Sequence, residues 1–295
     1  MNTPIPGGQH GAFERLFGEL RPKLHRYCAR MTGSVIDGED VLQEALAKAV
    51  EALPNAGLIA NPEGWLFRIA HNTALDFLRR RSRETTSADE DPDMIVDPVN
   101  PTIDRQAASA ALHTFMRLPV VQRSSVIMMD VLGYSLQEIS AALDTSVPAV
   151  KAALHRGRDR LRQISDEPDD RPLPRLGAAE RLLLNAYIDR FNARDFDAVR
   201  DMLAEEVRLE LVARTRLNGR KQVATYFGNY SRVQDWHLAP GLVENRPAIL
   251  VRDPNDPTAR PTYFILLVWQ DGRLAAIRDF RHARYVADGA KLLVL

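Results

Sequence analysis

Residues 84–104, ETTSADEDPDMIVDPVNPTID, carry seven acidic side chains and three prolines, and they contain no lysine or arginine. A stretch of this composition buries too little apolar surface to offset the entropy that is lost when it is ordered. Residues 165–176, SDEPDDRPLPRL, are again rich in proline and aspartate. We therefore predict two linkers, at 84–104 and 165–176, which separate folded segments at 9–83, 105–164 and 177–295.

The charge balance differs between these parts of the chain. Lys+Arg and Asp+Glu each number 39, for a formal net charge of +0, because the acidic linkers offset a mild excess of basic residues in the folded segments. A uniformly basic binding arm is therefore excluded, whereas local basic surfaces are not. Charge alone does not distinguish such a surface from an ordinary solvated face.

Cysteine usage and hydropathy limit the class of protein. The single cysteine, Cys28, excludes a disulfide framework and a cysteine-rich zinc site, and it fits a reducing cytoplasm. Residues 1–17 lack the charged and apolar regions of a signal peptide, and no stretch approaches the roughly 18 apolar residues of a membrane span. We expect a soluble cytoplasmic protein with no metal, no cofactor and no membrane partner.

Hydrophobic periodicity predicts the secondary structure of the three segments. The first two show the i, i+3, i+4 spacing of helices. The third begins with helices at Ala179–Asn192 and Phe196–Glu206, and a further helix is predicted at 219–227. The remaining pattern predicts strands and one hairpin turn, at Val207–Val212, Ala248–Val251, Thr262–Trp269 and Leu274–Phe280, with the turn at Gln270–Gly272. The chain is therefore expected to be multidomain, with an all-α front followed by an α+β domain.

Residues 135–162 carry the signals of two short helices joined by a tight turn. Ser135 and Glu138 form a capping-box pattern that opens a helix over Leu136–Leu143. Residues 144–146 supply the turn and the N-cap of a second helix, which runs to about Arg162. A helical wheel places a basic stripe beside its apolar face, at Lys151, His155, Arg158 and Arg162. This arrangement suits insertion into the DNA major groove, and the alternative is a helical hairpin with a solvated basic face.

The run at 61–83 predicts a helix with an unusual polar face. When the helix is drawn from Glu63, that face carries Trp65, Arg68, Asn72, Asp76, Arg79 and Arg83. An indole among guanidinium and amide groups suits the stacking of an unpaired base and contact with a nucleic-acid backbone. The alternative is that Trp65 packs on a neighbouring helix, and the arginines at the helix C-terminus also complement the helix dipole.

Residues 38–53 predict a second amphipathic helix in the first segment. One of its sides is acidic, with Asp40, Gln43, Glu44, Ala47 and Glu51. A protein partner suits such a side better than nucleic acid does, and the alternative is a solvated helix face.

Taken in order, these segments resemble a sigma-70 family RNA polymerase sigma factor of the extracytoplasmic-function (ECF) group. The matching stretches are Asp37–Leu53, Asn61–Arg83 and Leu118–Gln163. Within the last stretch, the family pattern is followed by Leu118-Pro119, Gly133-Tyr134-Ser135, Glu138-Ile139 and Leu154-His155-Arg156-Gly157-Arg158. The resemblance covers about half of the chain, and its specificity comes from the two modules occurring in this order.

The resemblance implies a transcription initiation factor, not an enzyme, whose partners are core RNA polymerase, through its β′ and β subunits, and promoter DNA. Region 2, at 9–83, would bind the core enzyme through Asp40, Gln43 and Glu44. The same region would engage the −10 element through Trp65, Arg68, Asn72, Asp76, Arg79 and Arg80. Region 4, at 105–164, would contact the −35 element through Ser146, Lys151, His155, Arg156 and Arg158.

Segment 177–295 looks like a SnoaL-like domain, a cone-shaped α+β fold in which helices and a curved sheet enclose a pocket. As the tail of a sigma factor, such a domain is expected to regulate activity, and a small-molecule ligand is a further expectation. The candidate pocket residues are Tyr263, Trp269, Asp279 and His282. The strand period places Asp279 and His282 on opposite sides, and Asp279, between Arg278 and Arg281, is expected to form a structural ion pair.

Two other functions stay open at this point. Some SnoaL-like proteins are cyclases or isomerases, so the C-terminal domain could carry that activity, with Asp279 and His282 as general acid and base. The helical front would then be a DNA-binding regulator. A third hypothesis is that the protein is an activator with one helix-turn-helix. This hypothesis leaves the tryptophan-bearing helix at 61–83 unexplained.

Overall fold

The computed structural model describes residues 5–6, 10–84, 111–165, 177–256 and 258–295. Its contacts divide the chain into two compact units, Met1–Asp169 and Asp170–Leu295. Residues 85–104 of the first predicted linker and 166–176 of the second lie outside the described residues, while Glu84 and Ser165 each end a helix. The division into five ranges, at 9–83, 84–104, 105–164, 165–176 and 177–295, therefore stays a prediction.

The first unit is helical, as predicted. It contains two long helices, α1 and α2, a further long helix, α3, and a helical second part with four helices, α4 to α7. The bounds are α1 His10–Thr32, α2 Val35–Ala52, α3 Pro62–Glu84, α4 Leu112–Phe115, α5 Val120–Val126, α6 Leu136–Leu143 and α7 Val147–Ser165. A π-helical turn, Ile127–Val131, continues α5, and the two-residue strands β1 (Ile5–Pro6) and β2 (Leu58–Ile59) pair antiparallel.

The main hydrophobic core joins the described helices of the first unit, and a smaller cluster contains Phe13, Leu53 and Ile59. The main core joins side chains from α1, α2 and α3 to others from α4 to α7, including Leu24, Phe67, Phe115, Ile139 and Leu154. Burying these apolar surfaces stabilises the unit by about 25 cal/mol per Å² removed from water. The two helical segments on either side of the predicted linker thus pack as one body.

Arg123 is a buried cation within this core. Its guanidinium donates to the backbone oxygens of Met31 at 2.7 Å, Leu118 at 2.9 Å and Met116 at 3.2 Å. Burial lowers the pKa of Arg123 to about 10, and the nearby Tyr27 opposes that shift. Because one of the accepting carbonyls belongs to α1, Arg123 ties the end of α1 to the second helical segment.

The second unit is α+β, as predicted, with one seven-stranded sheet in the order β4-β3-β8-β7-β6-β5-β9. Its helices are α8 Ala178–Asn192, α9 Phe196–Asp201, α10 Arg220–Tyr230 and α11 Tyr285–Asp288. Its strands are β3 Leu203–Leu211, β4 Thr215–Asn218, β5 His237–Val243, β6 Arg246–Arg252, β7 Tyr263–Gln270, β8 Arg273–Asp279 and β9 Leu292–Val294. β3 and β8 are parallel, and the other neighbouring pairs are antiparallel.

The sequence pattern located most of the second unit, with some errors at its edges. The helix expected over Phe196–Glu206 ends at Asp201, because the chain from Leu203 pairs with β8. Strands β4, β5 and β9 were not predicted. The predicted hairpin turn is confirmed: Asp271 and Gly272 have φ of 51° and 72°, which is the conformation of a two-residue type I′ turn.

Across the described ranges, no helix is long and apolar enough to cross a membrane. The same ranges contain no group of three or more His, Cys, Asp or Glu side chains that could hold a metal ion.

Candidate functional site

Helix α3 carries the predicted −10 residues on a scaffold that the sequence sets locally. The Asn61 side chain accepts a hydrogen bond from the Gly64 backbone N–H at 2.8 Å and so caps the first turn. Pro62 occupies the first helical position, where a backbone N–H would have no partner within the helix. The inner face buries Leu66 and Phe67 in the core. The opposite face is left for the polar residues.

Trp65 is half-buried, and its surroundings confirm packing on a neighbouring helix, while base stacking stays a prediction. Its ring lies edge-on to Phe13 of α1, with 6.1 Å between centroids, so it packs on a neighbouring helix. It also lines a cavity of about 240 Å³, together with Arg68, Glu63 and Tyr134. The indole is therefore positioned by packing and still reaches an open space.

The polar start of α3 contacts the helix-turn-helix directly. The Arg68 guanidinium donates to the Ala141 backbone oxygen of α6 at 2.5 Å. Glu63 accepts a hydrogen bond from the Tyr134 hydroxyl and is paired with Lys23 of α1 at 2.7 Å. We call this contact the α3–α6 seam, made by Lys23, Glu63, Arg68, Tyr134 and Ala141.

Tyr134 is the centre of the seam. The Lys23 ammonium lies 4.0 Å from its ring centroid, and the Phe67 ring lies edge-on at 5.1 Å. Burial raises the pKa of the Tyr134 hydroxyl, and the hydrogen bond to Glu63 raises it further. Sequence reasoning included Tyr134 in a family motif but assigned it no contact, because its partners lie 71 residues away in α3 and further still in α1.

The other predicted −10 residues lie along the exposed side of α3. Asn72, Asp76, Arg79 and Arg80 are all exposed. Asp76 and Arg79 pair with each other at 3.2 Å, and Arg80 pairs with Glu44 of α2 at 2.8 Å. The structure therefore brings this row beside the predicted core-polymerase residues.

The predicted core-polymerase residues lie on α2. This helix begins three residues earlier than predicted, because the Ser34 side chain accepts from the Asp37 backbone N–H at 3.1 Å. Asp40 is exposed, and Gln43 and Glu44 are half-buried. Burial alone would raise the pKa of Glu44, but hydrogen bonds from Arg80 and Lys48 outweigh it and hold the pKa below its usual range. Glu44 is thus ionised and paired.

The first helix of the helix-turn-helix has the predicted bounds, and the second runs three residues beyond its predicted end, to Ser165. Ser135 accepts from the Glu138 backbone N–H at 3.3 Å, and Glu138 accepts from the Ser135 backbone N–H at 2.8 Å, so the capping box is confirmed. Asp144 ends α6 with φ of 52°. Ser146 caps α7 by accepting from the Ala149 backbone N–H at 3.3 Å.

The predicted −35 residues on α7 divide into two groups. Lys151 and Ser146 are exposed, while His155, Arg156 and Arg158 are half-buried. Arg158 donates twice to Asp130, whose side chain is fully buried, and the His155 Nδ1 lies 3.4 Å from Asp159. A bidentate pair with a buried carboxylate holds Arg158 to the protein, which makes Lys151 the more accessible cation.

In the second unit, a cavity of about 520 Å³ adjoins the end of β8. Asp279, at that end, is fully buried, and its Oδ2 accepts from the hydroxyls of Tyr226 at 2.8 Å and Tyr230 at 2.7 Å. Its Oδ1 accepts from the Arg281 backbone N–H at 2.8 Å. Burial raises the pKa of Asp279, and the tyrosine hydroxyls and Arg281 oppose that shift.

The prediction that Asp279 forms an ion pair with a neighbouring arginine is wrong. The Arg281 guanidinium pairs with Asp235 at 2.7 Å, and Arg278 pairs with Glu210 at 2.8 Å. The expected separation of Asp279 from His282 is also wrong, because β8 ends at Asp279 and the following turn brings both residues to the cavity wall.

The other two predicted pocket residues have different positions. Tyr263 lies behind the cavity wall and reaches Tyr230 at 3.2 Å between hydroxyl oxygens. Trp269 does not line this cavity, since it sits at the hairpin end of β7. Sequence reasoning missed Tyr226, Tyr230 and Arg214; the four-residue spacing of the tyrosines on α10 is the signal that could have found them.

Comparison with known proteins gives matches in both units. The Sigma-70 region 2 model matches residues 16–84, and the Sigma-70 region 4 model matches residues 109–161. The ECF RNA polymerase sigma factor SigM of Mycobacterium tuberculosis is 34% identical over 161 residues, which cover 53% of this chain and 79% of SigM.

The ECF RNA polymerase sigma factor SigG of the same species is 29% identical over 229 residues, or 69% of this chain. The match spans 62% of SigG's own length. In the second unit, a solved SnoaL-like protein of unknown function from Burkholderia thailandensis is 21% identical, covering 36% of this chain and 96% of that one with a TM-score of 0.29.

Proposed function

The chain belongs to the ECF group of the sigma-70 family, and we propose that it binds core RNA polymerase, directs it to promoters and initiates DNA-templated transcription in the cytoplasm. The observation that carries the proposal is the presence, in family order, of a helix with an indole among cations and a capped helix-turn-helix. A one-helix-turn-helix activator has no use for the first of these modules. We place the chain among initiation factors and not among enzymes.

The proposed contacts follow the positions of the side chains. Asp40, Gln43 and Glu44 present a largely acidic surface to the β′ subunit, and the exposed row on α3 contacts the −10 element. Trp65 stacks on an unpaired base, a contact worth about 1–3 kcal/mol. On α7, Ser146, Lys151, His155 and Arg156 face the −35 major groove, while Arg158 acts mainly by fixing the helix.

The α3–α6 seam bears on how the −10 module works. One of the five N–H donors of the exposed Arg68 guanidinium is held by the Ala141 oxygen, so a phosphate or base can engage the whole guanidinium only when that hydrogen bond is broken. We infer that engagement of a promoter includes opening of the seam. The energy involved is modest, since one such charged hydrogen bond contributes about 1.5–3 kcal/mol.

A reconstitution tests the proposed function. Cognate core polymerase, the full chain and sheared genomic DNA are combined, and transcript 5′ ends are mapped. We expect discrete start sites that share two sequence blocks upstream and that disappear when the chain is omitted. An identical set of starts from core polymerase alone would contradict the proposal.

The second unit is proposed to regulate this activity, with a small-molecule ligand as its effector. Transcript yield should differ several-fold between the full chain and a chain ending at Asp169, the boundary between the units. Equal yields would remove the regulatory role.

The second candidate function is cyclase or isomerase activity in the second unit. The buried Asp279 beside a cavity favours it, because burial raises the pKa of a carboxyl group toward that of a useful acid–base catalyst. We rank it below ligand binding, since three hydrogen bonds already occupy the two Asp279 oxygens.

A further inference from the structure

The cavity of the second unit has two chemically different ends. Its volume of about 520 Å³ lies within the range of small-molecule sites, roughly 300–1,000 Å³. Leu211, Leu217 and Val233 supply apolar wall. The remaining lining residues supply polar groups, and their contacts decide what each end can bind.

The buried end offers hydrogen-bond acceptors. With Asp279 ionised, the Tyr226 and Tyr230 hydroxyls both donate their protons to its Oδ2. A relay supports them, since Arg281 donates to the Tyr263 hydroxyl at 3.0 Å and Tyr263 in turn reaches Tyr230. A hydroxyl that donates its proton still has oxygen lone pairs, so the Tyr226 oxygen can accept from a ligand hydroxyl.

The open end carries a cation. The Arg214 Nη1 lies 3.1 Å from the His282 Nε2, and because a guanidinium can only donate, that nitrogen of His282 accepts. The imidazole is therefore neutral, and burial together with the Arg214 charge lowers the pKa of His282. No carboxylate among the described residues pairs with Arg214.

We propose that this cavity binds a hydroxyl-bearing organic carboxylate with an apolar body. Its carboxylate meets Arg214 at the open end, its body lies against the apolar wall, and its hydroxyl donates to the Tyr226 oxygen at the buried end. Arg214 suits this role because its planar fork matches a carboxylate. The site binds its ligand without turnover, since Asp279 already accepts three hydrogen bonds from Tyr226, Tyr230 and the Arg281 backbone and the bound hydroxyl meets Tyr226 instead of the carboxylate. The proposal deepens the proposed function by naming the class of ligand that the second unit takes, and it rests on that proposed ligand role; because binding is measured without polymerase, its failure is distinguishable from failure of the proposed transcription function.

The test is calorimetric titration of the full chain, without polymerase, with 6-hydroxy-2-naphthoate as the probe. Two matched compounds each lack one group: 2-naphthoate has no hydroxyl, and 2-naphthol has no carboxylate. We expect saturable one-to-one binding of the hydroxynaphthoate and weaker binding of both others. Failure of the wild-type chain to bind it at millimolar concentration, or its conversion to a product, overturns the proposal.

Variants then assign each end. Arg214→Gln should weaken hydroxynaphthoate binding by about 10- to 100-fold and leave 2-naphthol binding unchanged, while Arg214→Lys restores part of the loss. Tyr226→Phe should weaken hydroxynaphthoate but not 2-naphthoate. Arg216→Gln is the matched control, because Arg216 is exposed, pairs with Glu210 at 2.9 Å and does not line the cavity.

Equal effects of Arg214→Gln and Arg216→Gln would show that general charge, and not this site, attracts the probe, and so would also overturn the proposal. Arg214 is exposed, so its replacement should not disturb folding. Circular dichroism of each variant checks this.

Discussion

The cavity beside Trp65 and the cavity beside Asp279 differ in what their polar groups already contact. In the first unit, Arg68 and Glu63 border about 240 Å³ of space, and both are bound by partners from α1, α6 or the turn before α6. In the second unit, Asp279 accepts three hydrogen bonds, while Arg214 contacts a neutral imidazole and pairs with no carboxylate among the described residues. The paired groups of the α3–α6 seam must lose their present contacts before they can bind DNA fully. The Arg214 guanidinium has no such ion pair in the described part of the chain, so it can bind a ligand directly.

The largest expected effect is a loss of stability in the first unit, whose packed helices form the first cavity. Arg123→Met leaves three buried backbone oxygens without their donor, so we expect the first unit to lose about 3 kcal/mol of stability. Hydrogen exchange measured by mass spectrometry should show a loss of protection in α1 and α5 and unchanged protection in the second unit. Arg160→Met, at an exposed position of α7, is the control and should leave both units protected.

A smaller effect, on DNA opening, concerns Trp65. Trp65→Ala removes base stacking worth about 1–3 kcal/mol, so transcription from a duplex promoter should fall by about 10- to 100-fold. On a template whose −10 region is already mismatched, the loss should be much smaller. Equal losses on both templates would mean that the indole acts through packing against Phe13 instead.

The seam itself gives a more moderate prediction. Tyr134→Phe removes one hydrogen bond to Glu63, about 1 kcal/mol, while the ring still packs on Phe67. Opening of the seam should become several-fold easier, so transcription at limiting chain concentration should rise. A drop in activity, with normal hydrogen exchange, would show that the contact assists promoter engagement.

The smallest effect separates two cations of the predicted −35 stripe. Lys151→Ala should weaken holoenzyme binding to a −35 fragment a few-fold and lower the magnitude of its salt slope by about 1. Arg158→Ala should instead destabilise α7, because it removes the bidentate pair between this helix and the buried Asp130 side chain.

If Lys151→Ala leaves the salt slope at the wild-type value, Lys151 makes no phosphate contact. Arg160→Ala is the matched control on the same helix, outside the predicted stripe, and its slope should equal that of the wild-type chain.

The features that sequence predicts well here are local. The bounds of α6, the Ser135–Glu138 capping box and the Asp271–Gly272 turn follow from residues within a few positions of one another. The helical and α+β fold classes also follow from local periodicity, which does not depend on which helix packs against which.

Contacts that join distant segments were not predictable in the same way. Arg68 and Ala141 are 73 residues apart, and Tyr226 and Asp279 are 53 apart. Arg158 and Asp279 illustrate the error. Each was interpreted from its neighbours on its own helix or strand, whereas its actual partners, Asp130 and the α10 tyrosines, come from other elements.

The central claim is that this chain enables core polymerase to separate promoter strands and hold the unpaired bases on α3. Permanganate reactivity of thymines around the −10 element measures this directly, because permanganate oxidises unstacked thymines. We predict reactive thymines when polymerase, the full chain and a mapped promoter are combined, and none without the chain. Thymines that stay unreactive in a complex containing both polymerase and the chain would contradict the claim.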